Sequence, residues 1–293
     1  MIMAKIREDG KKEVRECMEW TDGGAIMVYR TGCLHRKQEQ LTIQAHSNDG
    51  PKSVAKVSDS TILTEARKRR NSYYGVFPAS AFHLSRTKVT VIGSIPTIQR
   101  PEKDSNNPRL YNADMANHGY MYAVKHKFEN NDNSLEFKPL VNTYVFKIHS
   151  PAENYIEHKL MRITLRSEQK DIFLSGTFRT RLNPKTGRHT PVEAKNLTRE
   201  SNHVSVYFEQ GIMLGKSPEE EIIISLLALP MKHTDLILSL RFENGLFRNL
   251  RLINNNAPIS IDACQRVVFS NIRVPGEIRG ERIDEQAGPF SVI

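Results

Sequence analysis

The chain has 293 residues, of which 39% are hydrophobic and 26% charged, a composition that is ordinary for a globular protein and excludes wholesale disorder. Its net charge of +9 and its pI near 9.4 favour an anionic partner such as nucleic acid or lipid headgroups. Three cysteines without a C-x-x-C pair indicate a reducing compartment rather than a disulfide framework.

The N-terminal residues are charged from Lys5 onward and contain no apolar core of signal-peptide length. We therefore expect an intracellular protein, cytoplasmic or nuclear, and not a secreted one. The longest apolar run, residues 222–229, is too short to cross a bilayer, so no transmembrane segment is predicted.

Residues 1–100 are expected to form a basic N-terminal region of mixed α/β character. Within it, residues 25–29 predict a strand, and residues 60–70 predict a short helix that ends in four cations. Residues 101–118 are polar, contain two prolines and show no periodicity, so they predict a loop or linker between two parts of the chain.

The remaining part, residues 119–293, carries a strong β signal. Apolar and polar residues alternate in residues 160–166 and 236–242, as on half-buried strands. Asn244 and Gly245 then predict a hairpin turn of type I′. We expect a mainly β protein whose C-terminal part is an antiparallel sandwich or a jelly-roll-like domain.

Residues 218–229 give conflicting signals. Ser217 as a cap, Pro218 at the first helical position and Glu220 three residues after the cap favour a helix. The three isoleucines at 222–224 favour a strand instead, because β-branched side chains suit a pleated surface. We predict a helix here.

The sharpest candidate for binding is a run of four cations followed by two tyrosines. Guanidinium groups pair with phosphate oxygens and tyrosine rings stack on unpaired bases, so this run suits single-stranded nucleic acid. It also fits a nuclear-import signal or the solvated end of a helix. The candidate residues are Arg67, Lys68, Arg69, Arg70, Tyr73 and Tyr74.

A second basic block lies on predicted strands, since residues 159–200 hold 10 Lys and Arg against 4 Asp and Glu. Residues two or four apart on one strand share a face, so two neighbouring strands could merge their cations into one basic plate. The alternative is a solvated sheet face with charges for solubility. The candidate residues are Arg162, Arg166, Arg179, Arg181, Lys185 and Arg188.

Enzymatic and metal chemistry is not predicted. The chain lacks a G-x-S-x-G elbow and the phosphate-binding glycine motifs, and its cysteines and histidines lack the spacing of a tetrahedral metal site, so no cofactor and no metal are expected. Asp171, Glu193 and Lys195 resemble the Asp…Glu-x-Lys core of metal-dependent nucleases. We keep that activity as an alternative to a non-enzymatic function.

A short basic β-rich chain with one Trp and no catalytic signature is similar to viral structural or accessory proteins, namely jelly-roll capsid, matrix and movement proteins. That similarity implies a non-enzymatic protein that binds RNA or single-stranded DNA. The alternative is a matrix-like protein that assembles as a homo-oligomer on an anionic membrane surface.

Overall fold

The computed structural model describes residues 20, 23–32, 36–44, 56–58, 60–64, 71–86, 88–126, 134–169, 171–195, 202–230, 235–254, 257–258, 266–276, 283–287 and 290–292. The chain divides into two compact units, and each is assembled from three separate segments. The first unit comprises Met1–Gly93, Met115–Leu140 and Phe178–Glu193, and the second comprises Ser94–Asp114, Val141–Thr177 and Ala194–Ile293. The predicted boundary at residues 101–118 stays a prediction.

Strands dominate the described residues. The two α-helices are α1 (Thr61–Thr64) and α2 (Met115–His118). The strands are β1 (Ala25–Thr31), β2 (Lys37–Gln44), β3 (Lys56–Val57), β4 (Ser72–Phe77), β5 (Phe82–Ser85), β6 (Lys88–Ile95), β7 (Ile98–Gln99), β8 (Glu102–Lys103), β9 (Leu110–Asn112), β10 (Met121–Lys125), β11 (Lys138–Pro139), β12 (Asn142–His149), β13 (Leu160–Ser167), β14 (Gly176–Asn183), β15 (Arg188–His189), β16 (Glu193–Lys195), β17 (His203–Ile212), β18 (Ile222–Ala228), β19 (Leu236–Phe242), β20 (Phe247–Asn254), β21 (Ala257–Pro258), β22 (Arg266–Arg273), β23 (Ile283–Ala287) and β24 (Phe290–Val292).

The first unit is built on two sheets, one in the order β11-β10-β4-β1-β2-β3 and one in the order β15-β14-β6-β5 with β16 beside β14. Strand β4 lies at the centre of the first sheet, and all six of its residues are buried, so apolar layers cover both of its faces. On one face the buried core comprises Ile26, Val28, Leu41, Ile43, Ile62, Tyr73, Phe77 and Met121.

Helix α1 begins where the sequence predicts a cap. The Ser60 hydroxyl accepts a hydrogen bond from the Leu63 N–H at 3.2 Å, which satisfies a free donor of the first turn. The carboxylate of Glu39 on β2 accepts hydrogen bonds from the Ser60 hydroxyl at 2.7 Å and from the Ile62 N–H at 3.2 Å. Glu39 therefore links helix α1 to strand β2. The rest of the predicted helix, residues 65–70, lies outside the described residues.

The second unit also has two sheets. One runs β24-β22-β12-β18-β9-β8, and the other runs β21-β20-β19-β13-β17-β7 with β23 beside β20. Tyr111 of the first sheet packs edge-on against Phe208 of the second, with ring centroids 5.3 Å apart. Buried Gln99 donates to the Leu227 carbonyl at 2.6 Å and accepts from the Leu227 N–H at 2.9 Å. These contacts join the two sheets into a sandwich.

The fold class is confirmed. Antiparallel pairing predominates in the described sheets, as the alternating sequence predicts, and a mainly β sandwich results. The mixed α/β character of the N-terminal part stays a prediction. Among the described residues, no helix is both long enough and apolar enough to span a membrane.

The hairpin β19–β20 is present, but its turn differs from the predicted type I′. Arg241 pairs with Phe247 across the two strands, and the N–H of Gly245 donates to the Phe242 carbonyl at 3.0 Å. Gly245 has φ +82°, whereas Asn244 does not have a positive φ. A type I′ turn needs positive φ at both central residues, so this turn belongs to a longer loop.

The predicted helix over residues 218–229 is wrong beyond its first turn. Pro218–Glu220 form one turn of 3-10 helix, and the chain then enters β18. This strand lies between β12 and β9 and is mostly buried, so its isoleucines pack on a pleated core surface. The pairing of β18 with β12 and β9 therefore outweighs the local capping signal, and the segment forms a strand.

Candidate ligand-binding face

Four side chains form a row across the outer face of the seven-stranded sheet in the second unit. The strand register places Tyr207 of β17 opposite Arg162 of β13, Arg162 opposite Arg241 of β19, and Arg241 opposite Phe247 of β20. Directly paired residues point to the same side of a sheet. We call this row, together with Thr164, Arg166, Ser239 and Asn249 beside it, the arginine–aromatic face.

Alternation along the strands separates this face from the core. On β13, Ile163 and Leu165 are fully buried, while Arg162, Thr164 and Arg166 between and beside them are partly exposed. On β19, Leu238 and Leu240 are buried in the core, whereas Ser239 is partly exposed and Arg241 is exposed on the opposite side; Ile237, also on that side, is buried, so the exposed part of the face ends there. The inward side chains therefore pack in the core of the sandwich. The outward side chains lie outside that core and can contact a ligand.

The two aromatic residues at the ends of the row are unusually open to solvent. Tyr207 is 43% exposed and Phe247 is 53% exposed, whereas most large apolar side chains in the described chain are buried. Ile98, on the edge strand β7, is 59% exposed and pairs with Ser205 of β17. Since strands are spaced by about 4.8 Å, the two rings stand about 14 Å apart.

Arg241 and Phe247 form a contact pair on this face. The guanidinium carbon of Arg241 lies 5.3 Å from the centroid of the Phe247 ring, within the range of a cation–π interaction. Among the described residues, no carboxylate pairs with Arg241 or with Arg166. These two guanidinium groups therefore keep an uncompensated positive charge.

Arg162 is fixed by hydroxyl groups instead of a carboxylate. Its Nη2 donates to the Ser205 hydroxyl at 2.8 Å, and Ser205 shares a second hydrogen bond of 2.8 Å with Thr164. Its Nε is buried without a hydrogen-bond partner in the described part of the chain. A buried unsatisfied donor is unfavourable for stability, and such departures concentrate at functional sites.

One cation beside the face is neutralised. The guanidinium of Arg251 on β20 pairs with Glu168 at 2.9 Å. This pair contributes no net charge, so the positive charge of the face comes from Arg162, Arg166 and Arg241.

The first predicted basic run does not supply this face. Arg67, Lys68, Arg69 and Arg70 lie outside the described residues. Tyr73 and Tyr74 lie on β4, where they are 0% and 2% exposed. Burial leaves neither ring free to stack on a nucleic-acid base, and burial raises the pKa of Tyr74 to about 12, with a smaller contribution from Tyr29.

The predicted basic plate does not form on one sheet. Strand β13, which carries Arg162 and Arg166, pairs with β17 and β19. Strand β14 belongs to a different sheet, beside β15 and β6. The other predicted cations, Arg179, Arg181, Lys185 and Arg188, lie on β14, on the turn after it and on β15 in the first unit.

The nuclease-like residues do not form a visible metal site. Glu193 accepts a hydrogen bond from Arg179 at 2.7 Å, and its carboxylate is thereby neutralised. Asp171 belongs to the second unit, and Lys195 is the last residue of β16. Within the described ranges, no group of three His, Cys, Asp or Glu side chains could hold a metal ion.

The first unit contains a small open groove of about 240 Å³. Its lining comprises Tyr122, Val124, Lys125, Ser134, Glu136, Lys138 and Gly187. Lys125 donates to the Ser134 carbonyl at 3.1 Å across it, and Tyr122 is buried beneath it. Pockets for small ligands are usually larger, about 300–1,000 Å³, so this groove is a weaker candidate than the arginine–aromatic face.

Sequence reasoning found Arg162 and Arg166 but missed Tyr207, Arg241 and Phe247. The row runs from Arg162 to Phe247, 85 positions apart in the chain, so it exists only through strand pairing. The predicted two-residue turn at Asn244 and Gly245 would place Arg241 opposite Arg248, whereas the observed longer loop places it opposite Phe247, so no signal in the sequence indicates this pair.

Neither a protein-family model nor a curated protein sequence matches this chain. Solved structures do match. A candidate cell adhesion protein from Bacteroides ovatus superposes with a TM-score of 0.54 at 10% identity, over 99% of this chain and 92% of that one. A candidate cell adhesion protein from Bacteroides uniformis gives a TM-score of 0.52 at 9% identity, over 93% and 90% of the two chains.

These matches correct several predictions. The predicted nucleic-acid-binding protein of viral type is wrong, as is the matrix-like alternative, because solved structures that share this fold are candidate bacterial adhesion proteins. These matches do not test the nuclease alternative, which stays a prediction. The predicted nucleic-acid or membrane partner and the intracellular location are wrong for the same reason. The chain shares the fold of these Bacteroides proteins over nearly its whole length.

Proposed function

We propose that this chain is an adhesion protein of a bacterial cell surface and that it works by binding rather than by catalysis. The observation that carries the proposal is the match in fold to candidate cell adhesion proteins from two Bacteroides species, which extends over 93–99% of this chain. The match includes both β units, so it is not limited to a common sandwich motif.

The arginine–aromatic face supports a binding function. Tyr, Phe and Arg are enriched in binding surfaces because they combine a large contact area with directional polar groups. On this face Tyr207 and Phe247 are open to solvent, and Arg241 is uncompensated by any described carboxylate. A rigid sheet holds all three, so little conformational entropy is lost when a ligand binds.

The proposal is tested with the full purified chain coupled to fluorescent beads. The beads are applied under flow to mucin-coated glass and to epithelial cell layers, and beads coated with serum albumin serve as the control. We expect the chain to retain beads on at least one of these surfaces well above the control. Retention equal to the control on both surfaces would refute adhesion to host material.

A further inference from the structure

We infer that the arginine–aromatic face binds a carboxylated oligosaccharide, that is, a glycan chain that contains uronic or sialic acid. This inference rests on the proposed adhesive function and assigns a ligand class to it. It is carried by the juxtaposition of two exposed rings, three cations and a row of hydroxyl and amide groups on one sheet face, where Tyr207, Arg241 and Phe247 are exposed and the other members are partly exposed.

The shape of the face fits an extended ligand. Tyr207 and Phe247 stand at opposite ends of a row that crosses four adjacent strands. Three strand spacings separate the two rings, which corresponds to about 14 Å. A few linked sugar rings can cover this distance, and the weakly polar C–H face of a sugar ring packs well on the electron-rich face of an aromatic ring.

The cations between the rings select for acidic sugars. Arg162 and Arg241 are direct neighbours on β13 and β19 between the two rings, and Arg166 lies four residues, or two pleat repeats, further along β13. A guanidinium binds a carboxylate through two parallel hydrogen bonds, which gives both strength and orientation. Since no described carboxylate pairs with Arg241 or Arg166, a carboxylate on the ligand would supply the missing partner.

A polar row lies beside the charged row and suits the hydroxyl groups of a sugar. Ser239 of β19 lies between Thr164 of β13 and Asn249 of β20 and pairs with both, and all three are partly exposed. Ser239 donates to the Asn249 Oδ1 at 2.5 Å, which leaves the amide nitrogen of Asn249 as a donor for a ligand. Hydroxyl and amide groups at this position can both donate and accept.

The position of the two rings, and not the central arginines, favours an extended glycan over a protein partner, because Arg is itself enriched at protein hot spots. Energetic hot spots in protein interfaces cluster at the centre of a patch and fill pockets on the partner. Here the two aromatic residues lie at the ends of the row, and the centre is occupied by Arg162 and Arg241. This arrangement matches alternating sugar and carboxylate contacts along a glycan better than one central anchor.

The experiment measures binding of the full chain to three matched oligosaccharide sets, neutral, carboxylated and sulfated, by isothermal titration calorimetry. We expect binding to the carboxylated set and loss of about tenfold or more in affinity when the carboxylates are converted to methyl esters. Arg241→Gln and Tyr207→Ala should each weaken that binding by a similar factor. Arg181→Gln, an exposed arginine in the first unit, is the matched control and should have no effect.

Several results would overturn the inference. Equal binding of neutral and carboxylated glycans, or stronger binding of the sulfated set, would refute carboxylate recognition. Bead retention without any glycan binding would overturn the ligand class and leave adhesion standing, and sensitivity of that retention to Arg241→Gln would then identify a protein partner. Absence of bead retention together with glycan binding would instead refute only the adhesive function. Circular dichroism of each variant confirms that it is folded.

Discussion

Glu39 shows how one side chain can anchor a local structure. Burial raises its pKa, but hydrogen bonds from Thr61, Ser60, the Ile62 N–H and Lys37 outweigh that effect and lower the pKa from 4.5 to about 2. These donors all stabilise the ionised carboxylate, which also caps the start of α1. The stabilisation is therefore present above pH 4.5 and is lost as the pH falls toward 2.

We predict that Glu39→Gln lowers the thermal unfolding midpoint and that the difference from the native chain depends on pH. The difference should be constant from pH 7 to about pH 5 and should shrink between pH 4.5 and pH 2, because the native carboxylate is then protonated. Differential scanning calorimetry at several pH values from 7 to 2 measures the difference in unfolding midpoint between the variant and the native chain. The exposed Glu102 supplies a control variant, Glu102→Gln, which should change the midpoint little. A pH-independent difference for Glu39→Gln would contradict the assignment.

Gly215 is a second residue whose identity the packing requires. A Cβ atom at this position would lie 2.0 Å from the carbonyl oxygen of Glu220, so the backbone itself would have to move. We predict that Gly215→Ala costs about 1–3 kcal/mol of unfolding free energy. A Cβ atom at Gly245 would meet no other atom of the described residues within 4 Å, so Gly245→Ala is strained only by the positive φ of this residue. We expect it to lower the unfolding free energy by about 1 kcal/mol. Urea unfolding compares the two, and equal costs would contradict the close approach at Gly215.

At the scale of single elements, local patterns predicted most strands but not which strands pair with one another. The alternation in β13 and β19 and the turn residues of the hairpin were sufficient to place these strands. The capping signal at Pro218 was misleading because β18 gains far more from burial between β12 and β9 than a helix gains from a cap. Long-range pairing is not encoded in any short window, so the arginine–aromatic face could not be predicted.

The two sides of β19 should respond very differently to substitution. Leu238 is fully buried, and we predict that Leu238→Ala costs about 2–5 kcal/mol because it leaves a cavity in the sandwich. Arg241 is exposed on the same strand, and Arg241→Gln should change the unfolding free energy by less than about 0.5 kcal/mol. Guanidinium chloride unfolding measures both. A large loss of stability in Arg241→Gln would mean that Arg241 serves the fold and not a ligand.

At the scale of the whole molecule, composition predicted a globular protein correctly but misled on function. The net charge of +9 favoured nucleic acid, yet among the described residues the predicted cations of β13 and β14 lie on different sheets. Tyr73 and Tyr74, which looked like base-stacking residues, are core residues of β4. A net charge reports solubility and encounter rates, whereas a binding site depends on which few charges share a face.

We propose that this chain adheres through the arginine–aromatic face. The most direct test is bead retention under flow with the native chain, with the double variant Arg241→Gln and Tyr207→Ala, and with the control variant Arg181→Gln. The account predicts that the native chain and the control retain beads equally and that the double variant falls to the level of serum albumin. Full retention by a folded double variant would contradict the claim.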